Sequence, residues 1–361
     1  MTEHVPSNLP RLGWDAFFEN AFRQMASPDW VPARVTNRQK GLYTVHAETG
    51  EMKAVMAGRL RFRSGGIDAS PAVGDWVAVL RETDRAVIQA VLPRKSSFSR
   101  NIVGGQTLEQ VVAANIDTVF LVSGLDGSRS FNLRSIERYL TIAMSSGARP
   151  VIVLNKADLC NDVGSRVRAA EGVGLGVPVH AVSAVGEPGV SVLRDYIVEG
   201  ATVSLLGQSG VGKSAIINAL LGEDRLQVGA VRAADRRGRH TTTHRELILL
   251  PGGGAVIDTP GMREIQLWGE ENALDNAFED IEGLAAGCRF KDCGHDLEPG
   301  CAVREALETG VLDEARFQSY LRLKRELKYL AARRDDRLRL EEKERWRKIS
   351  RWGKQLRKNN G

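Results

Sequence analysis

Gly207-Gln208-Ser209-Gly210-Val211-Gly212-Lys213-Ser214 spells G-x-x-x-x-G-K-S, with Ala215 following. Glycines at this spacing let backbone N–H groups wrap around phosphate oxygens at a helix N-terminus. Lys213 can reach the outer phosphates, and the Ser214 hydroxyl can ligate Mg²⁺. The pattern needs a strand before it and a helix after it. The β-type run Ala201–Leu206 and the helical run Ser214–Leu221 supply both. The base is specified elsewhere, by Asn155-Lys156-Ala157-Asp158 after the apolar run Val151–Leu154. A carboxylate such as Asp158 can accept from both N1–H and the exocyclic N2–H₂ of guanine, whereas adenine presents an unprotonated N1. A wrong base then leaves the site unpaired, which discriminates strongly. Asn155 would tie this loop to the phosphate loop, and the Lys156 stem can cover the base plane. Ser183-Ala184, after Val177–Val182, fits a backbone N–H donor loop for guanine O6. The expected ligands are GTP and GDP.

Two further segments suit a triphosphate. Asp258-Thr259-Pro260-Gly261 closes the run Ala255–Ile257. Asp258 suits a water-mediated Mg²⁺ contact, and the Gly261 N–H can sense the γ-phosphate. Upstream lies the polar segment Arg237-Gly238-Arg239-His240-Thr241-Thr242-Thr243. Thr241 and Thr242 are equal candidates for the second protein ligand to Mg²⁺ that orders a switch loop.

Cys288, Cys293, His295 and Cys301 form C-x4-C-x-H-x5-C. Three thiolates and an imidazole fill four tetrahedral positions and leave none open, so one structural Zn²⁺ is expected. Unligated buried or free cysteines are the alternative. Cys160 stands apart as a packed or loop thiol.

Composition supports this chemistry. The 361 residues are 42% hydrophobic and 26% charged, as in a globular chain of two to three domains. No apolar run approaches the ~18–20 residues of a membrane helix, so no membrane role is expected. No secretory leader is evident, and four cysteines make no disulfide framework, so a cytoplasmic protein is expected. From Arg316 onward, 17 Lys and Arg face 6 Asp and Glu, whereas residues 1–315 carry 33 against 39. An acidic body thus ends in a basic tail that attracts polyanions such as RNA. Tyr320, Leu323, Leu327 and Leu330 mark an amphipathic helix there, with Trp346 and Trp352 interleaved further on among Arg and Lys.

The elements that position these residues change character along the chain. Residues 1–30 read as an irregular lead-in. Within 31–100, Val31–Val35, Leu42–Ala47, Lys53–Ala57, Trp76–Leu80 and Val87–Leu92 alternate with glycine turns. They suggest a small β-barrel such as the oligonucleotide-binding (OB) barrel, although an SH3-like barrel would read the same way. Arg59, Arg61 and Arg63 alternate, which would put all three on one strand face suited to RNA. Over 101–270, strands and helices alternate, giving an α/β fold with a mostly parallel sheet and Arg245–Leu250 with Ala255–Ile257 as a hairpin. Residues 271–315 hold the metal cluster, and 316–361 form the basic helical tail.

The order of motifs is unusual. Ras-like GTPases run from phosphate loop through switch threonine and D-x-x-G to N-K-x-D and S-A; here the last two come first. The chain is therefore circularly permuted, which a sheet core tolerates because its contacts do not depend on where surface termini are cut. D-x-x-G then leads straight into the C-terminal region, so γ-phosphate contacts can pull on it. With G-Q-S-G-V-G-K-S, G-R-H-T-T-T and D-T-P-G in this arrangement, the sequence resembles the ribosome small subunit-dependent GTPase (RsgA) family over about residues 31–305. The resemblance implies a circularly permuted P-loop GTPase domain between an N-terminal OB-like barrel and a C-terminal zinc-binding, helical domain. It further implies a GTP-hydrolysing factor in late maturation of the small ribosomal subunit. Such a factor binds rRNA, is stimulated by the subunit, and uses hydrolysis as a switch for release; a monomer is expected. Where many Ras-like enzymes place a water-orienting glutamine, this chain has Met262. A thioether cannot orient water. His240 can accept from one when neutral, and the resemblance supports a histidine in that role. The rival reading is an RNA-binding protein for which GTP is a regulatory ligand and is not hydrolysed. An ATP-driven remodeller fits Asn155–Asp158 poorly.

Overall fold

The computed structural model describes residues 8–25, 27–39, 41–63, 70–102, 108–127, 130–227, 245–258, 272–296 and 298–330. His240, Thr241, Thr242, Gly261 and Met262 lie outside these residues, as do Trp346, Trp352 and the rest of the tail after 330.

The lead-in is not irregular where it is described. Pro10–Leu12 forms a 3-10 turn and Ala16–Met25 an amphipathic helix, α1. Phe18 and Leu12 bury against Trp76: Phe18 and Phe22, four residues apart, share one face of α1, and Trp14, just ahead of the helix, packs on both.

The barrel follows as β1 (Trp30–Gln39), β2 (Leu42–Ala47), β3 (Gly50–Met56), helix α2 (Gly58–Arg63), β4 (Trp76–Arg81) and β5 (Ala86–Val91). Strands pair in the order β1-β2-β3-β5-β4, and β4 closes back onto β1. The β3–β5 pair is parallel and its neighbours antiparallel. This ring, with its one-sided core of Val35, Val45, Val77 and Ile88, is the OB-like closure. The arginine expectation is corrected: Arg59, Arg61 and Arg63 sit in α2, where alternate residues do not share a face. Arg59 lies over the Trp30 ring and donates to Gln89 Oε1 at 3.0 Å.

β6 (Ser97–Ile102) and β7 (Leu108–Ala114) form a separate two-stranded hairpin, so the expected boundary at residue 100 falls inside one strand. Then come β8 (Thr118–Gly124), α3 (Leu133–Ser146), β9 (Arg149–Asn155), α4 (Val163–Gly174), β10 (Val179–Ala181), β11 (Thr202–Leu206), α5 (Lys213–Leu221), β12 (Arg245–Leu249) and β13 (Ala255–Asp258). Asn132 caps α3, its Oδ1 accepting from Arg134 N and Ser135 N; Gly147 ends that helix in the left-handed region. The order is β10-β9-β8-β11-β13-β12, parallel except for the β12–β13 hairpin. α3 and α4 cover one face and α5 the other, each closing a buried cluster. β12 then pairs with β1, so sheet and barrel join in one eleven-stranded sheet.

The C-terminal helices are α6 (Asn272–Ala277), α7 (Glu279–Ala285), α8 (Ala302–Glu308) and α9 (residues 314–330). The expected stripe is buried: Tyr320, Leu323 and Leu327 join Phe278, Ile281 and Val303 in the core that also holds Ile136 and Leu140 of α3. Among the described residues no helix is long and apolar enough to cross a membrane.

Candidate functional site

Parallel strands aim their following loops at one end of a sheet, where the helix N-termini also point. β9, β10 and β11 do this here, and the carboxyl ends of β8 and β13 flank them.

The phosphate-type loop Gly207–Ser214 runs from β11 into α5. A Cβ on Gly207 would lie 2.3 Å from Val122 O, and one on Gly212 would lie 2.2 Å from Asn155 Nδ2. Gly210 and Gly212 have φ of 81° and 95°, a region glycine enters without strain. Lys213 Nζ donates to Gly207 O at 2.8 Å and to Gln208 O at 2.7 Å, closing the loop around its own ammonium. Ser214 and Ala215 are in the first turn of α5 and half-buried. Ser209 and Gly210 are exposed at the tip, and Val211 is buried beneath them.

Asn155, at the end of β9, joins three loops. Its Nδ2 donates to Val211 O at 2.9 Å, and its Oδ1 accepts from Ala184 N at 3.1 Å. The side chain is buried, so both bonds are sheltered from water. Lys156 adopts a left-handed φ of 65° and its Nζ pairs with Asp126. Ala157 and Asp158 form a 3-10 turn, held by Ala157 N donating to Val182 O at 3.1 Å. Asp158 is exposed there. Ser183 Oγ accepts from Gly186 N at 2.9 Å, and a Cβ on Gly186 would be 3.7 Å from Asp158 Cβ. The Asp158 carboxylate and the Ser183–Gly186 turn therefore flank one space. The Ala184 N–H, expected to face a base oxygen, is here directed at Asn155 Oδ1.

Asp258 ends β13, opposite Glu246 on β12. Burial pushes its carboxyl above the usual range; the Lys213 ammonium pulls the other way and Glu246 adds to the rise. A carboxylate at this cost, facing the loop lysine, is suited to a cation site.

Several contributors escape sequence reading. Gln208 Nε2 donates to Ser135 Oγ of α3 at 3.0 Å, fixing the loop from outside. Asp126 and Ser130, in the loop after β8, reach Lys156 and each other. Ser135 and Asp126 carry no spacing signature, because Gln208 and Lys156 are remote from them in sequence.

Cys288, Cys293, His295 and Cys301 come together between α7 and α8, their ligand atoms all within 4.8 Å of one another. Cys288 Sγ and Cys301 Sγ are 3.9 Å apart, and His295 Nδ1 is 3.6 and 3.5 Å from them. A tetrahedral ion with bonds of about 2.3 Å to sulfur requires sulfur–sulfur edges of roughly 3.8 Å. The four residues can therefore hold a metal ion. Burial and the Lys324 ammonium hold the His295 imidazole below its ordinary range, which favours the neutral, ligating form.

A family model described as RsgA GTPase matches residues 91–268. A small ribosomal subunit biogenesis GTPase RsgA from Opitutus terrae is 49% identical over 94% of this chain and 95% of its own length. A protein named small ribosomal subunit biogenesis GTPase RsgA 1 from Oceanobacillus iheyensis is 48% identical over 88% of this chain and 91% of its own. Among solved structures, the crystal structure of YjeQ from Thermotoga maritima aligns with a TM-score of 0.62 at 29% identity, covering 82% of this chain and 98% of that one.

Proposed function

The chain belongs to the RsgA GTPase family, and from that premise we propose that it hydrolyses GTP as a maturation factor of the small ribosomal subunit, holding rRNA and using hydrolysis as the switch for its release. It is a circularly permuted GTPase. The observation that carries the site assignment is Asn155, whose one buried amide joins the phosphate-type loop to the turn beside Asp158. Triphosphate and base would then be gripped by one connected unit. Asp158 accepts from guanine N1–H and N2–H₂, the Lys156 stem covers the base, and Ala184 N–H turns from Asn155 to O6. The loop amides from Gly207 to Ala215 hold the phosphates. Lys213 leaves its loop carbonyls for the outer phosphates, and Ser214 with Asp258 would hold Mg²⁺ beside them. Mg²⁺ supplies charge neutralisation on the transferred phosphoryl group. Thr241 or Thr242 completes its ligands, Gly261 senses the γ-phosphate, and His240 orients the attacking water.

The four-residue cluster fits Zn²⁺, because three thiolates and an imidazole suit a closed tetrahedral site. That ion would brace the turn between α7 and α8 against RNA, alongside the barrel and the basic tail. The protein acts as a cytoplasmic monomer with no membrane contact. The test is hydrolysis of GTP and ATP with and without purified small subunits. GTP turnover should be slow alone and raised at least tenfold by subunits, with ATP untouched. Equal rates for both nucleotides, or no response to subunits, would contradict the proposal.

A further inference from the structure

Asp126 takes no part in the nucleotide contacts above, although four features converge on it. It follows β8 in a loop tied to the base-recognition loop by Leu125 N donating to Asn155 O at 2.8 Å. Its Oδ2 pairs with Lys156 Nζ at 2.5 Å, and both side chains are largely shielded, at 19% and 27% exposure. Its Oδ1 accepts from Ser130 Oγ at 2.9 Å. Ser130 can reach it only because residue 124 is glycine: a Cβ there would stand 2.6 Å from Ser130 Oγ. Lys156 meanwhile occupies a left-handed backbone well that a lysine rarely adopts, so backbone and ammonium are both fixed.

We propose that Asp126 is a positioning residue for nucleotide binding, anchoring the Lys156 ammonium so that its aliphatic stem is laid along the base slot before the nucleotide arrives. The inference rests on the proposed guanine site, and Asp126 itself touches no part of the nucleotide. A free lysine would have to surrender the rotamer entropy of a long, flexible stem on binding; an anchored one has already done so. The carboxylate is itself held by Ser130, so it can impose a geometry instead of following the lysine. Because the stem contacts the face of the base and not its edge, the effect extends to every purine the slot accepts, while choice among purines stays with Asp158.

The experiment measures affinity for N-methylanthraniloyl-GDP and for the matching inosine nucleotide in the full chain, across native, Asp126→Ala, Asp126→Glu, Lys156→Ala and the double alanine variant. Asp126→Ala should weaken both nucleotides by roughly tenfold and equally, with Asp126→Glu recovering part of the loss. Lys156→Ala should cost at least as much, and adding Asp126→Ala to it should cost nothing further. A merely structural carboxylate would give additive losses, and those would overturn the inference. So would native affinity in Asp126→Ala, or a harmless Lys156→Ala. A native chain that binds neither nucleotide would overturn the guanine reading along with it, whereas a binding-competent native chain with additive variants overturns the positioning role alone.

Discussion

Asp258 shows what a single side chain contributes and costs. Burial at the end of β13 raises its carboxyl above the ordinary value of 3.8, with Lys213 opposing and Glu246 reinforcing. The unfolded chain ionises near that ordinary value and the folded chain only at higher pH. Above the raised value both are ionised, and the folded state carries the whole penalty; below 3.8 both are protonated and the difference vanishes. Asp258→Asn should therefore melt higher than the native chain at pH 7, the gain shrinking as pH falls towards 4, while GTP hydrolysis drops. A variant that melts lower at pH 7 would mean that Lys213 more than offsets the burial. At this scale the sequence is legible where chemistry is local in the chain. The loop Gly207–Ser214, Asn155–Asp158 and the Cys288–Cys301 cluster each carry their spacing within a short span. It is not legible for Asp126 or Ser135, whose partners Lys156 and Gln208 lie 30 and 73 residues away.

Among the elements, α3 does most to join the GTPase sheet to the C-terminal helices. Ser135 on its first turn holds the phosphate-type loop, while Glu137 meets Arg316 of α9 at 3.1 Å and Arg138 pairs with Glu326 of the same helix at 2.6 Å. Arg316 also forks onto Asp280 of α7, both bonds at 2.6 Å, with its guanidinium over the Phe278 ring. Glu137 is buried, and its Oε1 is shared between Arg316 and Arg134, so Arg316 supplies part of its compensation. Removing one member of a buried pair strands the other, at about 3–5 kcal/mol, whereas replacing both by apolar groups costs far less. Arg316→Met alone should lower the melting midpoint steeply, and adding Glu137→Leu should restore part of it. Two additive losses would show that the pair does not act as a unit. The barrel strands were readable from glycine-punctuated β runs and α3 from its apolar period. α2 was not: across the six residues Gly58–Arg63, alternating arginines satisfy a strand period as well as a short helix. β6 and β7 leave no such signal, because their residues are mixed in character and show no sustained alternation.

At the scale of the molecule, the permutation places one continuous sheet behind both the nucleotide site and the barrel. β12, which begins directly after the segment bearing Thr241 and Thr242, pairs with β13 on one side and with β1 of the barrel on the other. β13 ends at Asp258, the first residue of D-x-x-G, and the chain then proceeds to α6 and the metal cluster. The barrel and the metal-cluster region are thus both tied to the sheet that carries the phosphate-type loop. That arrangement has meaning only if Asp158, remote in sequence from the phosphate-type loop, reads the base of the same nucleotide. The most direct measurement is subunit-stimulated hydrolysis of GTP and XTP by native and Asp158→Asn chains. Xanthine carries a carbonyl where guanine carries its N2 amino group, so an amide that donates should replace a carboxylate that accepts. The variant should lose GTP turnover at low nucleotide by about 100-fold or more and gain XTP turnover. An Asp158→Asn chain that hydrolyses GTP as the native chain does would contradict the account.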